Sequence, residues 1–318
     1  MLFKNLILII VSSFTISSNY NCENSKGENE LKIEKDSIDI LHVSGTIYML
    51  RPDDKKIGNP SSVVSIGEDG VLLVDAGISK LGPLIMKKIK ELGGKNVDII
   101  LTTHYHADHT DGLQFFGSDA LKIATKNQRK RFLTEGLFSE DDFMKKEGLP
   151  DITFDTSFSI YYNGEEIQVS TFPNKSGHTD GDLYVYFTKS KVLCIGDYLF
   201  LDKFPIIDID GGGDFENYFK NIDYLLNTFP NDTKIIPGHG NFRPKEIKFV
   251  SMREFKTNIE SLQYSIQIIR NKINQGFTLE KIKEEGLPEK YTSYGVRPRY
   301  VSINRWIEAV FNYYKEKS

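Results

Sequence analysis

The sequence predicts a two-sheet α/β sandwich extended at its C-terminus by helices alone. Three observations carry this. Short apolar or alternating runs, closed by Gly, Asn and Pro, recur between residues 38 and 236 and read as strands. Stretches with helical apolar spacing are interspersed among them in both halves. From residue 244 onward only helical periodicity remains. With 318 residues, 39% hydrophobic and 26% charged, the chain has the composition of a globular protein with a sizeable core. A net charge of −4 excludes a general nucleic-acid binder, since the only dense basic run, Lys126 to Arg131, reads as one solvated helix face.

The N-terminus reads as separate from the fold. Lys4 precedes the apolar core Leu6-Ile-Leu-Ile-Ile-Val11, and Ser12 to Ser18 is small and polar, which resembles a secretory signal peptide over residues 1–18. That core is too short for a membrane span. Export to the periplasm or the medium is therefore the expected localisation. Lipid attachment at Cys22 is the less favoured alternative, because Asn19-Tyr20-Asn21 lacks small and aliphatic residues. Residues 19–36 read as a polar leader, 37–243 as the main folded domain and 244–318 as its helical extension. Cys22 and Cys194 are the only cysteines, so no disulfide framework exists, and Cys194 reads as a small buried thiol.

Taken in order, Ile38–Val43 and Thr46–Leu50 flank the turn Ser44-Gly45. Ser61–Ile66 and Val71–Val74 flank Glu68-Asp-Gly70, and the second run ends in Asp75-Ala-Gly77. Residues 78–92 carry Leu81, Leu84, Ile85, Ile89 and Leu92 on one helical face before Gly93-Gly94. Val97–Leu101 and Ala120–Ala124 read as strands, then Asn127–Gly136 and Glu140–Glu147 as helices. Phe158–Tyr162 and Glu165–Thr171 are joined by Asn163-Gly164, the pair that suits a tight hairpin turn. Leu183–Phe187 and Val192–Ile195 form a second close pair. A helix over Phe215–Phe229 stops at Pro230 before the strand Thr233–Ile236. Pro244–Asn274 reads as one long helix, and Thr278 and Ser302 as N-caps of two more.

The chemistry gathers at strand ends. His104, His106, Asp108 and His109 fall within six residues directly after the strand ending at Leu101, although the chain has six histidines in all. Imidazole and carboxylate are ligands that zinc accepts. Three later strand ends each add ligand-type residues beside glycine: Ser176-Gly-His178-Thr-Asp-Gly-Asp182, Gly196-Asp197 and Pro237-Gly-His239-Gly240. His42 is the one histidine outside these segments and reads as a surface strand position.

In this order the residues resemble the metallo-β-lactamase superfamily, whose signature is His-x-His-x-Asp-His followed by a histidine, a bridging aspartate and a last histidine. The resemblance spans roughly residues 38–241. It implies a four-layer αββα sandwich with a two-metal site at one edge. His104, His106 and His178 would hold one divalent metal, Asp108, His109 and His239 the other, and Asp197 would bridge them. Zinc is the expected metal, with iron or manganese as alternatives. Two cations roughly 3.5–4 Å apart can share a carboxylate and a water and lower that water's pKa. The bridging hydroxide would attack the carbonyl of an ester, thioester, lactone or related small-molecule substrate, with Asp108 as the catalytic carboxylate that orients it. Asp75 and Asp182 are candidate partners of ligand imidazoles, or else turn-capping carboxylates. One departure is Asp111, where the family usually has glycine.

The ligand set narrows the activity the resemblance implies. Histidine rather than glutamate at His106 disfavours the iron-binding flavoprotein oxidoreductases of the superfamily. Asp197 looks more like the thioester and lactone hydrolases and the phosphodiesterases than the zinc β-lactamases, which usually lack it. A zinc β-lactamase is the runner-up, and a non-catalytic metal-binding protein is the alternative from another class. The segment Lys203–Asp210 with Gly211-Gly-Gly213 reads either as a wall of the substrate pocket or as a structural connection. Tyr198 and Lys175 lie near ligands in sequence only.

Overall fold

The computed structural model describes residues 38–52, 60–136, 142–239, 248–294 and 301–316. The signal-peptide, leader and Cys22 expectations lie outside the described residues, as does Gly240. The described residues form a unit spanning Asp36–Ser318.

The first sheet has the order β1 (Ile38–Ser44), β2 (Ile47–Pro52), β3 (Ser62–Gly67), β4 (Gly70–Val74), β5 (Ile99–Leu101), β6 (Leu121–Thr125) and β7 (Ile152–Phe154). Its first four strands are an antiparallel meander, with short turns between β1 and β2 and between β3 and β4. From β4 onward pairing is parallel, with Val74 opposite Leu101, because the connections pass through α1 (Gly82–Glu91), then α2 (Ala107–Thr110) and α3 (Leu113–Phe116), then α4 (Lys126–Thr134). β8 (Ser157–Tyr162) opens the second sheet, followed by β9 (Glu165–Thr171), β10 (Leu183–Phe187) and β11 (Val192–Cys194). After α5 (Phe215–Thr228) come β12 (Lys234–Ile236) and β13 (Val250–Ser251). Asn163 and Gly164 both take positive φ (53° and 76°), the twisted turn predicted for the β8–β9 hairpin.

The two sheets face each other across one apolar layer. Val43, Ile47, Met49, Leu72 and Leu101 of the first meet Val169, Leu183, Val185 and Phe187 of the second, with Cys194 buried among them. Outside the first sheet, α1 inserts Ile85 and Ile89 against Val71 and Leu73. Outside the second, α5, α6 (Met252–Asn274), α7 (Leu279–Glu285) and α8 (Ile303–Glu316) bury Ile222, Phe255, Ile282 and Trp306 beside Leu193 and Ile235. This is the αββα arrangement, with the C-terminal helices forming part of its outermost layer. Among the described residues no helix is long and apolar enough to cross a membrane.

Three sequence readings need correction. The helix expected over Glu140–Glu147 is absent from its described part, where residues 142–145 are irregular and Lys146–Gly148 makes a single 3₁₀ turn. Its apolar residues Phe143 and Met144 are adjacent rather than three or four apart, so one helical face cannot bury both; Met144 is buried and Phe143 exposed. β7 is a strand that the sequence reading left unassigned. The long helix begins at Met252, not Pro244: Val250 and Ser251 pair with β12. Ser251 then caps the helix, its side chain accepting from the Glu254 amide while Glu254 returns to the Ser251 amide. Residues 244–247 lie outside the described chain. The caps at Thr278 and Ser302 are present as predicted.

Candidate metal centre

Strand order brings the ligand-type residues together. β4 and β5 are parallel neighbours, so Asp75 and the loop from Thr102 leave adjacent carboxyl ends. β11 and β12 are likewise parallel, which sets Asp197 beside His239. The two sheet edges are joined by Leu183 N–H donating to the Thr103 carbonyl at 2.8 Å.

All seven residues converge in two adjoining groups. In one, His104, His106, His178 and Asp197 place ligand atoms within 4.8 Å of one another; Asp108, His109 and His239 do the same in the other. Asp197 touches both. Its Oδ2 lies 3.9 Å from His104 Nε2, 3.6 Å from His178 Nε2 and 3.4 Å from His239 Nε2, and its Oδ1 lies 3.4 Å from His109 Nε2. His239 Nε2 is also 3.4 Å from Asp108 Oδ2.

The outward nitrogens of four imidazoles are committed elsewhere, which sets their tautomers. His178 Nδ1–H donates to the Ile206 carbonyl at 2.8 Å, and His106 Nε2–H to Asp208 at 2.8 Å. His109 Nδ1–H donates to Asp75 at 2.9 Å, and His104 Nδ1 meets Thr103 Oγ1 at 3.1 Å. The inward nitrogens are thereby left as lone-pair acceptors. Yet His106 Nδ1 faces His178 Nε2 at 3.0 Å, and His109 Nε2 faces His239 Nε2 at 3.3 Å. Buried His104 Nε2 and Asp197 Oδ1 have no hydrogen-bond partner among the described residues. Between His106 and His178 two acceptors converge with no donor between them, and they repel unless a cation lies there, so the residues fit a metal.

The two halves differ electrostatically. Burial opposes charge on His109, but Asp197, Asp108 and Asp75 outweigh it and hold this imidazole's pKa well above its ordinary value. His239 is raised for the same reason, by Asp197 and then Asp108 acting against burial. On the other side, burial and neighbouring imidazoles pull His104 well down, and His178 to about 4. Burial would raise Asp197, yet the imidazoles of His239, His109 and His104 hold it well below the carboxylate range. The Asp108 half attracts positive charge; the His104 half offers neutral nitrogen ligands.

Surrounding contacts settle the open sequence readings. Asp75, at φ 60°, accepts from Thr103 N (2.7 Å) and Thr103 Oγ1 (2.8 Å) as well as His109. Asp182 touches no imidazole; it accepts from the Thr179 amide and, at 3.0 Å, from Tyr198 OH, so it shapes the His178 turn. Tyr198 is buried, stacked between Phe172 and Tyr218. Lys175 is exposed on a small depression with Lys126 and Asp155. Asp111 has ordinary helical φ (−59°), so the fold does not require glycine there. Its carboxylate accepts from Ser79 N at 2.8 Å and from Gln114 Nε2 at 2.6 Å, tying the loop to the turn before α1. At Gly112 a Cβ would sit 2.2 Å from the Ala76 carbonyl oxygen, and at Gly238 one would sit 2.1 Å from Asp197 Oδ1.

Sequence reasoning missed Asp208. Its Oδ2 receives both His106 Nε2–H and, at 2.7 Å, Tyr105 OH, while its Oδ1 accepts from Gly211 N at 2.9 Å. These bonds hold its pKa low against partial burial. Nothing in the run Asp208-Ile-Asp210 distinguishes it from Asp210; only the loop's path does. The segment 203–213 thus orients two candidate ligand histidines rather than merely connecting strands.

Fold and site together define a metal-dependent hydrolase. Residues 57–239 match the metallo-beta-lactamase superfamily, and the chain belongs to that family. It is 27% identical over 216 residues to a metallo-beta-lactamase type 2 of Elizabethkingia meningoseptica, covering 67% of this chain and 80% of that protein. A probable metallo-hydrolase of Streptococcus pyogenes serotype M6 is 28% identical over 193 residues, 58% of this chain and 80% of its own. Among solved structures, a metallo-beta-lactamase from Pontibacter korlensis superposes with a TM-score of 0.55 at 17% identity, covering 71% of this chain and 99% of that one. The IND-7 metallo-beta-lactamase gives 0.55 at 18%, covering 72% and 98%. These structural likenesses concern the fold.

Proposed function

We propose that the protein is an exported, dinuclear, zinc-dependent hydrolase of a small-molecule ester, thioester, lactone or related carbonyl compound. The observation that carries the reading is Asp197, a buried carboxylate shared by two groups of inward-facing imidazoles. His104, His106 and His178 would hold one cation and Asp108, His109 and His239 the other, with Asp197 within reach of both groups. Two bound divalent cations supply Lewis acidity and lower the pKa of water at the site. The chain's own residues set the geometry. Asp75 and Asp208 fix imidazole orientation, and Asp197 supplies buried negative charge. Asp108 is the candidate carboxylate whose side chain is 30% open to solvent, the position from which to orient a water and accept its proton. Export rests on Lys4 followed by the apolar run Leu6–Val11.

A second reading, hydrolysis of β-lactams, draws support from the name of the Elizabethkingia relative and its 80% coverage. Retention of Asp197 favours the first. The test is to measure bound metal, expected at about two equivalents per chain. Wild type and Asp108→Asn are then compared on an ester, a thioester, a lactone, a cephalosporin and a bis-aryl phosphodiester. Turnover of a carbonyl substrate by wild type with loss in the variant supports the proposal. Turnover confined to the cephalosporin selects the second reading. Identical traces for both proteins on all five substrates would refute hydrolysis at this site.

A further inference from the structure

The segment 205–213 has two faces. One presents the Ile206 carbonyl to His178 and the Asp208 carboxylate to His106. The other, through Ile207 and Ile209, walls a cavity of about 560 Å³ that Phe215 of α5 and Trp306 and Ala309 of α8 also line. None of the seven candidate ligands lines it; Ile206, whose carbonyl accepts from His178, does, so the cavity adjoins the metal centre without containing its ligands. Its volume lies within the range of small-molecule sites.

The lining is mostly apolar and aromatic. The Phe215 ring lies 5.8 Å from that of Trp306 and 4.7 Å from that of Tyr313, and Ile209 at the edge is 65% exposed. Two charged residues line it. Asp214 is committed to its own helix, accepting from Asn217 N at 2.8 Å. The Arg305 side chain is exposed and makes no hydrogen bond or ion pair among the described residues; only its backbone amide is engaged, with Ser302. Tyr313 OH is occupied by Glu216 at 2.9 Å. An apolar hollow with one uncommitted guanidinium complements an amphipathic monoanion. Among the described lining residues a polyanion would find a single cation, and an organic cation would meet Arg305.

We propose that this cavity is a second ligand site, separate from the metal centre, for a small monocarboxylate with an apolar body whose carboxylate pairs with Arg305. Trp306 is the only tryptophan in the chain, so its fluorescence reports on the cavity without reference to catalysis. Failure of the hydrolase reading would leave this readout unaffected.

The experiment titrates the full chain with decanoate and with decanol, following Trp306 emission. Wild type is expected to bind decanoate saturably and more tightly than decanol. Arg305→Gln should weaken decanoate by about tenfold, the scale of a lost charge-assisted bond, while leaving decanol unchanged. Ala309→Phe, which intrudes on the hollow from α8, should weaken both responses with no loss of the folded far-UV spectrum. Absence of a saturable response in wild type, equal decanoate affinity in Arg305→Gln, or undiminished binding in folded Ala309→Phe would each overturn the proposal.

Discussion

Asp75→Asn isolates what a buried carboxylate behind a ligand histidine contributes. The side chain is the same size, and asparagine tolerates the positive φ of 60° found there. Both Asp75 oxygens act as acceptors: Oδ1 takes the Thr103 amide at 2.7 Å, and Oδ2 takes Thr103 Oγ1–H and His109 Nδ1–H at 2.8 and 2.9 Å. Either orientation of the introduced amide therefore points an N–H₂ at a donor. Facing His109, it drives the imidazole proton to Nε2, the atom that looks toward Asp197 and His239. Loss of such a supporting bond typically lowers metal affinity by about 10–100-fold, equivalent to roughly 1.4–2.8 kcal/mol. The unsatisfied buried contact costs the metal-free fold about 1–3 kcal/mol. A zinc titration against a chelating indicator should show one equivalent weakened to this degree, that of Asp108, His109 and His239, and the other nearly unchanged. Unaltered affinity for both equivalents, or weakening confined to the His104, His106 and His178 half, would refute the reasoning.

Other perturbations probe separate parts of the structure. Asp208→Ala removes the acceptor of His106 Nε2–H and Tyr105 OH, and should weaken the opposite equivalent, that of His104, His106 and His178, by about 10–100-fold in the same titration. Gly112→Ala forces a Cβ to 2.2 Å from the Ala76 carbonyl oxygen and should cost about 1–3 kcal/mol in urea unfolding, although residue 112 is no ligand. Ser251→Ala removes the cap of α6 and should cost about 1 kcal/mol by the same measurement. Glu254 is held down by the Ser251 amide and Lys248, from 4.5 to about 2. A depressed carboxylate contributes stability that is fully present above 4.5 and lost as pH falls toward 2. Glu254→Gln should therefore flatten the loss of thermal stability across that window; an unchanged acid limb would show that the pair contributes nothing. The group is largely exposed, so the effect is small.

The candidate ligand residues were legible because each strand end carries its own local signal. The cluster His104–His109 is dense, and His178, Asp197 and His239 each follow an apolar run beside glycine. The same holds for the Asn163-Gly164 hairpin and the caps at Thr278 and Ser302, all set by neighbours within a few residues. Readings failed where helical composition lacked a burial face, as in residues 142–148, or where strand pairing competed with helix propensity, as at Val250 and Ser251.

By itself the sequence determined the types of the candidate ligands, their order and their placement after strands, since these depend on local periodicity and on the chemistry of imidazole and carboxylate. Only the tertiary structure decided which carboxylates stand behind which imidazoles. It assigned Asp75 to His109 and Asp208 to His106, gave Asp182 to the turn instead, and showed that Asp111 anchors its loop to Ser79. Those pairings join residues 34 and 102 positions apart in the cases of His109 and His106, where no local pattern reaches and only packing of the two sheets sets the distance.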